Sequence, residues 1–160
     1  LLTLHRQENV DSRERFVSIV RAINSVARTS GAPIIFPAHP RTVTKINKFN
    51  LRFSDNIKLI EPLDFLTFLY MESAASLILT DSGGVQEEAC ILKVPCVTLR
   101  DNTERPETIK VGANMIGGTE PETILKAVIK MSMRKNDWSN PFGSGNASGK
   151  MLDILLRELD

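Results

Sequence analysis

Short apolar runs alternate with amphipathic segments along the whole sequence, and this alternation limits the possible folds more than any other feature. The runs are apolar on both faces, which is typical of parallel strands covered by helices on two sides. The predicted strands are Leu1–Leu4, Pro33–Phe36, Ile57–Ile60, Ser76–Thr80, Pro95–Leu99 and Val111–Ile116. We therefore predict an α/β fold with a Rossmann-like, doubly wound parallel sheet.

Apolar residues recur at helical spacing between these strands. Asp11 and Glu14 resemble a capping box at the start of the first helix, and Gly31 ends it. A second helix is predicted over about Thr42–Phe49, with Val43 and Ile46 inward, and a third is capped by Asp64 and runs through Glu72. Two more are predicted over Val85–Leu92 and over about Glu122–Met133. A last helix has one apolar face, formed by Met151, Leu152, Leu155, Leu156 and Leu159. The segment Lys135–Gly149, rich in Asn, Ser, Gly and Pro, is predicted to be a loop.

Composition narrows the class of protein. A length of 160 residues suits one domain, and a net charge of +1 gives no electrostatic reason to bind nucleic acid or an anionic membrane. The apolar runs are far shorter than the ~20 residues of a membrane helix. Cys90 and Cys96 form no metal-binding motif and are interpreted as buried thiols. We expect a single cytoplasmic domain over residues 1–160, with no metal, no nucleic-acid partner and no membrane partner.

Polar residues follow the first two predicted strands, at the sheet edge where doubly wound folds bind ligands. The segment after the first strand is His5-Arg6-Gln7-Glu8-Asn9, and the segment after the second is Pro37-Ala38-His39-Pro40-Arg41. A histidine can transfer a proton or donate a hydrogen bond to phosphate, and Arg41 can offer its guanidinium to phosphate. A solvated loop and a rigid proline-flanked turn remain open as alternatives for these two segments.

The fourth predicted strand is followed by Asp81-Ser82-Gly83-Gly84 and then by a helix. Glycines allow close backbone approach, and a helix N-terminus binds anions. One turn into the helix, Glu88 could accept two vicinal ribose hydroxyls. An ordinary turn, with Glu88 compensating the helix dipole, is the alternative. The spacing matches neither a GxGxxG fingerprint nor a P-loop, which disfavours both chemistries.

Two further features are candidates for ligand contact. The segment Arg100–Thr108 alternates basic and acidic residues on a loop too long for a plain connection, which suits the recognition of a polar ligand such as a sugar. Phe68 lies on the helix before the fourth strand, where it would be either a core residue or a wall against a flat base. A solvated loop is the alternative for the charged segment.

Taken together, these segments resemble the carboxyl-terminal half of the non-hydrolysing UDP-N-acetylglucosamine 2-epimerases. The matching segments are His5–Asn9, Pro37–Pro40, Leu79–Ala89, Thr103–Glu107, Asn140–Gly143 and Gly145–Ser148. The match covers essentially the whole chain in the right order. One departure is Ser144, which stands where the family's end segment usually has Asp.

The resemblance implies a GT-B-type enzyme whose active site lies in the cleft between two Rossmann-like domains, this chain being the half that holds the nucleotide. The resemblance implies roles for nine residues. Ser82, Gly83 and Gly84 would hold the diphosphate, Glu88 would bind the ribose, and Phe68 would pack by the uracil. His5 would be catalytic near the leaving group, Arg105 would face the substrate, and Arg6 and His39 match positions that touch a second, regulatory UDP-sugar. No metal or cofactor is implied.

The implied reaction converts UDP-N-acetylglucosamine to UDP-N-acetylmannosamine by elimination of UDP to a glycal and its re-addition to the other face. The carboxylates that move the C2 proton come largely from the family's other half. We therefore expect that this chain, with its abrupt start at Leu1, is part of a longer protein. We expect the full-length protein to be a homodimer. We also expect this fragment alone to fold and bind UDP weakly but not to epimerise.

Three alternatives remain open. The chain could be the donor-binding domain of a UDP-sugar glycosyltransferase, part of a hydrolysing 2-epimerase that releases N-acetylmannosamine and UDP, or a non-enzymatic nucleotide-sugar-binding module. The combination of His5–Asn9 with Thr103–Glu107 argues against the glycosyltransferase.

Overall fold

The computed structural model describes residues 1–159. The strands are β1 (Leu2–Thr3), β2 (Ile34–Pro37), β3 (Ile57–Ile60), β4 (Ile78–Thr80), β5 (Cys96–Thr98) and β6 (Asn114–Ile116). The helices are α1 (Gln7–Val10), α2 (Arg13–Ser30), α3 (Pro40–Lys48), α4 (Phe65–Ala74), α5 (Gly83–Ile91), α6 (Pro106–Lys110), α7 (Pro121–Ser132) and α8 (Ala147–Leu159). Each of the six predicted strands therefore has a counterpart.

All strand pairs are parallel. Strands β1, β4, β5 and β6 form one hydrogen-bonded sheet in that order, and β2 pairs with β3 in a second sheet. Because β2 also contacts β1, the strands lie in the spatial order β3-β2-β1-β4-β5-β6. This order is that of a Rossmann-like doubly wound fold, which confirms the predicted fold class. The strand order reverses between β1 and β4, and ligands bind such folds at this switch point.

Helices cover both faces of the sheet. In β4, Leu79 packs into a large cluster with Phe16 and Ile124 of α2 and α7, whereas its neighbour Ile78 packs into a second cluster with Val85 of α5. Successive strand residues point to opposite faces, so two separate apolar clusters are the expected result. The sheet therefore packs between two layers of helices, which fix the positions of the residues at the carboxyl ends of its strands.

Helices α2 and α3 begin at residues other than those predicted. The cap of α2 is Ser12, whose hydroxyl accepts from the backbone N–H of Arg15 at 3.4 Å, so the prediction of Asp11 as the cap is wrong. Helix α3 begins at Pro40, because proline suits a first helical turn. This start turns Thr42 into the core and leaves Val43 36% exposed, so Val43 does not point inward as predicted.

The chain between β5 and α7 also departs from prediction. The short helix α6 occupies part of the predicted charged loop, and β6 begins at Asn114 rather than at Val111. By contrast, the predicted cap at Asp64 is confirmed, since its carboxylate accepts from the backbone N–H of Thr67 at 3.1 Å.

Helix α8 begins at Ala147, so the predicted loop ends three residues too late. On its predicted apolar face, Met151, Leu152, Leu155 and Leu156 are exposed. Leu159 was assigned to the same face, and its side chain lies outside the described part of the structure. No helix within residues 1–159 is long and apolar enough to cross a membrane.

Candidate functional site at the switch point

Asp81, the first residue after β4, organises the switch point. Its fully buried carboxylate accepts hydrogen bonds from the backbone N–H groups of His5 and Arg6, at 3.1 and 2.9 Å, and from the side-chain amide of Asn9 at 3.2 Å. These donors all follow β1, the strand next to β4. One buried carboxylate thus ties the segment after β1 to the start of α5.

The same carboxylate orients the His5 ring. The Nδ1 atom of His5 lies 3.3 Å from Oδ1 of Asp81, while 47% of the His5 side chain is exposed. A proton on Nδ1 would be donated to Asp81, which leaves Nε2 available to a ligand. The ring is therefore anchored on one side and open on the other, an arrangement suited to contact with phosphate or to proton transfer.

The N-terminus of α5 is open to a ligand. Within residues 1–159, the side chain of Ser82 makes no capping hydrogen bond. The backbone N–H of Ser82 donates to the Thr80 hydroxyl at 2.9 Å. The first N–H groups of a helix have no partner within the helix. Those of Gly83, Gly84 and Val85, together with the helix dipole, are therefore suited to binding an anion.

A cavity of about 440 Å³ opens beside this helix end, along the carboxyl ends of β1, β2, β3 and β4. It is lined by Thr3, Leu4, His5, Pro37, His39, Arg41, Pro62, Leu63, Phe68, Ser82 and Val85. Four predicted site residues, His5, His39, Phe68 and Ser82, therefore line one cavity. The Arg41 side chain, which reasoning from sequence connected with phosphate, lines it too.

The other predicted site residues are not among those that line this cavity. Gly83 and Gly84 begin α5, and Glu88 follows one turn later on the same helix. Arg6 donates to Glu104 at 3.0 Å, and Arg105 forms an ion pair with Glu87. Arg105 also lies close to Gly83, because a Cβ atom on that glycine would be 3.8 Å from the guanidinium carbon.

Ion pairs fix the charged segment after β5. Arg100 is buried and pairs with Glu8 at 2.6 Å and with Glu104 at 2.9 Å. Glu104 in turn pairs with Arg6, and its hydrogen bond from Arg100 holds the pKa of Glu104 below its usual value. The two charged segments that follow β1 and β5 therefore form one network, which is more ordered than a solvated loop.

Hydrogen bonds among buried side-chain amides also hold the charged segment after β5. The Gln86 carbonyl oxygen accepts from the Thr103 hydroxyl at 2.5 Å and from the Asn114 amide at 3.1 Å. Reasoning from sequence missed Gln86 and Asn114, as well as the buried Asn9 and the organising role of Asp81. The available signal was a polar residue inside an otherwise apolar strand or helix, which requires a partner when buried.

The two cysteines are buried as predicted, in α5 and β5. Burial raises the pKa of both thiols, so they remain neutral and unreactive at neutral pH. Among the described residues, no group of three or more His, Cys, Asp or Glu side chains could hold a metal ion.

The fold and this cleft define a Rossmann-like protein that presents a histidine and a helix N-terminus to one cavity. The family model for UDP-N-acetylglucosamine 2-epimerase matches residues 1–156. The chain belongs to this family, which confirms the family predicted from the sequence.

Individual relatives agree with the family model. The UDP-N-acetylglucosamine 2-epimerase of Methanocaldococcus jannaschii is 54% identical over 159 residues, which cover 97% of this chain and 43% of the relative. A crystal structure from that organism, in complex with UDP-GlcNAc and UDP, matches 98% of this chain and 44% of its own, with 52% identity and a TM-score of 0.91. The Neisseria meningitidis enzyme bound to UDP-GlcNAc matches 98% of this chain and 44% of its own, with 33% identity and a TM-score of 0.83. The chain therefore spans less than half the length of these relatives.

Proposed function

We propose that this chain is the nucleotide-holding, carboxyl-terminal half of an enzyme that interconverts UDP-N-acetylglucosamine and UDP-N-acetylmannosamine. The observation that carries the proposal is the convergence of His5, Ser82 and the uncapped N-terminus of α5 on one cavity. Membership of the 2-epimerase family supports the same substrate class. The cytoplasm as location and a homodimer at full length belong to the proposal as expectations.

The α5 N-terminus holds the diphosphate in this proposal. Backbone N–H groups of Gly83, Gly84 and Val85 donate to the phosphate oxygens, and the Ser82 hydroxyl adds a further donor. Arg105, next to Gly83, faces the substrate and contributes positive charge. These groups act on the leaving group, because UDP carries more negative charge once the bond from C1 to the phosphate oxygen breaks.

Phe68 and Glu88 hold the nucleoside. Phe68 projects into the cavity from α4 and offers an apolar face to the uracil ring. Glu88 is half-buried one turn beyond the diphosphate site, where its carboxylate accepts the two ribose hydroxyls. This division places the charged part of UDP at the helix end and its apolar part against α4.

His5 is the catalytic residue of this chain in the proposed reaction. With its Nδ1 side held by Asp81, the ring interacts with the diphosphate as the bond from C1 to oxygen breaks and UDP leaves. The C2 proton is removed from one face of the sugar and returned to the other, with UDP adding back to C1 of the glycal. Carboxylates outside this chain carry that proton transfer.

Arg6 and His39 are proposed contacts for a second, regulatory UDP-sugar. His39 lines the cavity with Nδ1 accepting the Arg41 backbone N–H at 3.2 Å. Arg6 lies on the side of the charged network, paired with Glu104. The two residues thus flank the proposed catalytic histidine.

Titration of the chain with uridine, UMP and UDP tests where the ligand binds. A charge-assisted hydrogen bond contributes about 1.5–3 kcal/mol, so UDP should bind at least about tenfold more tightly than uridine by calorimetry. Equal affinities for uridine and UDP would contradict a diphosphate site at α5. A glycosyltransferase donor domain or a binding module would also prefer UDP, and the reaction product separates those alternatives.

A further inference from the structure

A buried carboxyl group lies beneath the proposed ribose site. Glu72 on α4 is completely buried, and among the described residues neither of its carboxyl oxygens has a hydrogen-bond donor from the protein. The apolar cluster beside it includes Phe68 of the same helix and Val85, Ala89 and Cys96 opposite. An ionised carboxylate without a donor is very unfavourable in such surroundings.

The neighbour of Glu72 is Glu88. Helices α4 and α5 are in contact, and the Glu72 carboxyl lies within hydrogen-bonding reach of the Glu88 carboxyl. Two carboxyl groups can form such a bond only if one of them carries a proton. The proton belongs on the more deeply buried member, because Glu72 is completely buried and Glu88 is half-buried.

The spacing along both helices connects this pair to the ligand cavity. Phe68 and Glu72 are four residues apart on α4, and Val85 and Glu88 are three apart on α5, so each pair lies on one helix face. Phe68 and Val85 line the cavity. The two glutamates therefore form the next layer, at the depth where the proposed ribose contact lies.

We propose that Glu72 is a positioning residue that donates a hydrogen bond to Glu88 and fixes that carboxylate in the orientation that accepts the ribose hydroxyls. This inference rests on the proposed function, because it assigns a supporting group to its ribose contact. Without the Glu72 donor, Glu88 samples other rotamers, and ordering it again costs binding free energy. The effect is largest for ligands that carry both ribose hydroxyls.

Substitutions at Glu72 distinguish a hydrogen-bond donor from a residue that only fills space. Glu72→Met keeps a similar volume without a donor, whereas Glu72→Gln keeps an N–H donor toward Glu88. Glu122→Met, at an exposed glutamate of α7, is the matched control. Each variant is titrated with UDP and with 2′-deoxy-UDP by calorimetry, after circular dichroism has compared its fold with that of the wild type.

The wild type should bind UDP roughly tenfold more tightly than 2′-deoxy-UDP, as expected for one charge-assisted hydrogen bond. Glu72→Met should largely remove this preference by weakening the binding of UDP more than that of 2′-deoxy-UDP, which keeps only the 3′-hydroxyl, while Glu72→Gln and Glu122→Met should retain it. A Glu72→Met variant that keeps the preference, or a Glu72→Gln variant that loses it, overturns the inference alone. A wild type that binds no UDP overturns the proposed function and the inference with it.

Discussion

At the scale of single residues, Asp81 has the most contacts with the segment after β1 in the candidate site. It accepts two backbone N–H groups and one side-chain amide from the segment after β1, and it also contacts the His5 ring. A buried carboxylate with this many donors is expected to affect both stability and ligand binding, because its loss leaves several donors unpaired.

Asp81→Asn should lower the free energy of unfolding by about 2–4 kcal/mol, because the new amide group turns a donor toward donors that need an acceptor. Urea denaturation measures this change. Asp101→Asn is the control, since Asp101 is exposed and pairs with Arg15 at 2.9 Å, an interaction whose loss should cost less than about 1 kcal/mol. Equal effects at the two positions would contradict the role given to Asp81.

Substitution of Gly84 should change protein stability and UDP affinity in opposite directions. A Cβ atom there would meet only the Ser82 hydroxyl, at 3.9 Å, so Gly84→Ala fits the fold and should stabilise α5 by up to about 1 kcal/mol. The added methyl group should nevertheless weaken UDP binding, because it projects from the backbone that approaches the diphosphate.

Thermal denaturation and UDP titration check the two effects of Gly84→Ala. Gly149→Ala in α8 is the control, since a Cβ there meets no atom within 4 Å and the site is distant in sequence. Unchanged UDP affinity in Gly84→Ala would contradict close approach of the ligand to this glycine.

At the scale of secondary-structure elements, the contact between α4 and α5 makes stability depend on pH. Burial, with the nearby Glu88 carboxylate, raises the pKa of Glu72 to about 8. The neighbouring Cys96 thiol stays neutral because burial raises its pKa as well. The folded state thus holds a proton that the unfolded chain releases above its own pKa, near 4.5.

The free energy of unfolding should therefore fall as the pH rises from about 4.5 to about 8, with a contribution of at most about 1.4 kcal/mol per pH unit from this group. Glu72→Gln should remove that contribution. Melting temperatures of both proteins across this range provide the measurement, and parallel curves would show that Glu72 is ionised in the folded state.

Element types were more predictable from the sequence than element ends. The apolar run within Ser76–Thr80 identified β4, because this strand is buried on both faces and such strands favour apolar residues at successive positions. The start of α2 was wrong because Asp11 and Ser12 are both good caps, and ion pairs of Asp11 with Arg41 and Lys45 decide between them. Such long-range contacts leave no periodic signal.

In the candidate site too, some features were predictable from the sequence and others depend on long-range packing. His5, His39, Phe68 and Ser82 were identified from their positions after strands or before a turn, and they line one cavity. The residues beneath them were missed, because Glu72 and Gln86 look like ordinary polar positions of amphipathic helices. Only the packing of α4 and α5 reveals that these side chains are buried.

At the scale of the whole molecule, the fold brings the proposed nucleotide contacts to one sheet edge. The switch point between β1 and β4 places His5 beside α5, and the helices on both faces hold that edge rigid. Carboxylates for proton transfer at the sugar C2 are absent from this proposed set of contacts. The chain is therefore expected to hold UDP and to depend on further protein for catalysis.

Proton NMR of the full-length protein incubated with UDP-N-acetylglucosamine in D₂O measures the proposed epimerisation. We expect UDP-N-acetylmannosamine with deuterium at C2, and no turnover by the 160-residue chain under the same conditions. Free N-acetylmannosamine with UDP would instead indicate a hydrolysing enzyme. Unchanged substrate with the full-length protein would overturn the proposed function, and epimerisation by the 160-residue chain alone would show that this chain carries the whole active site.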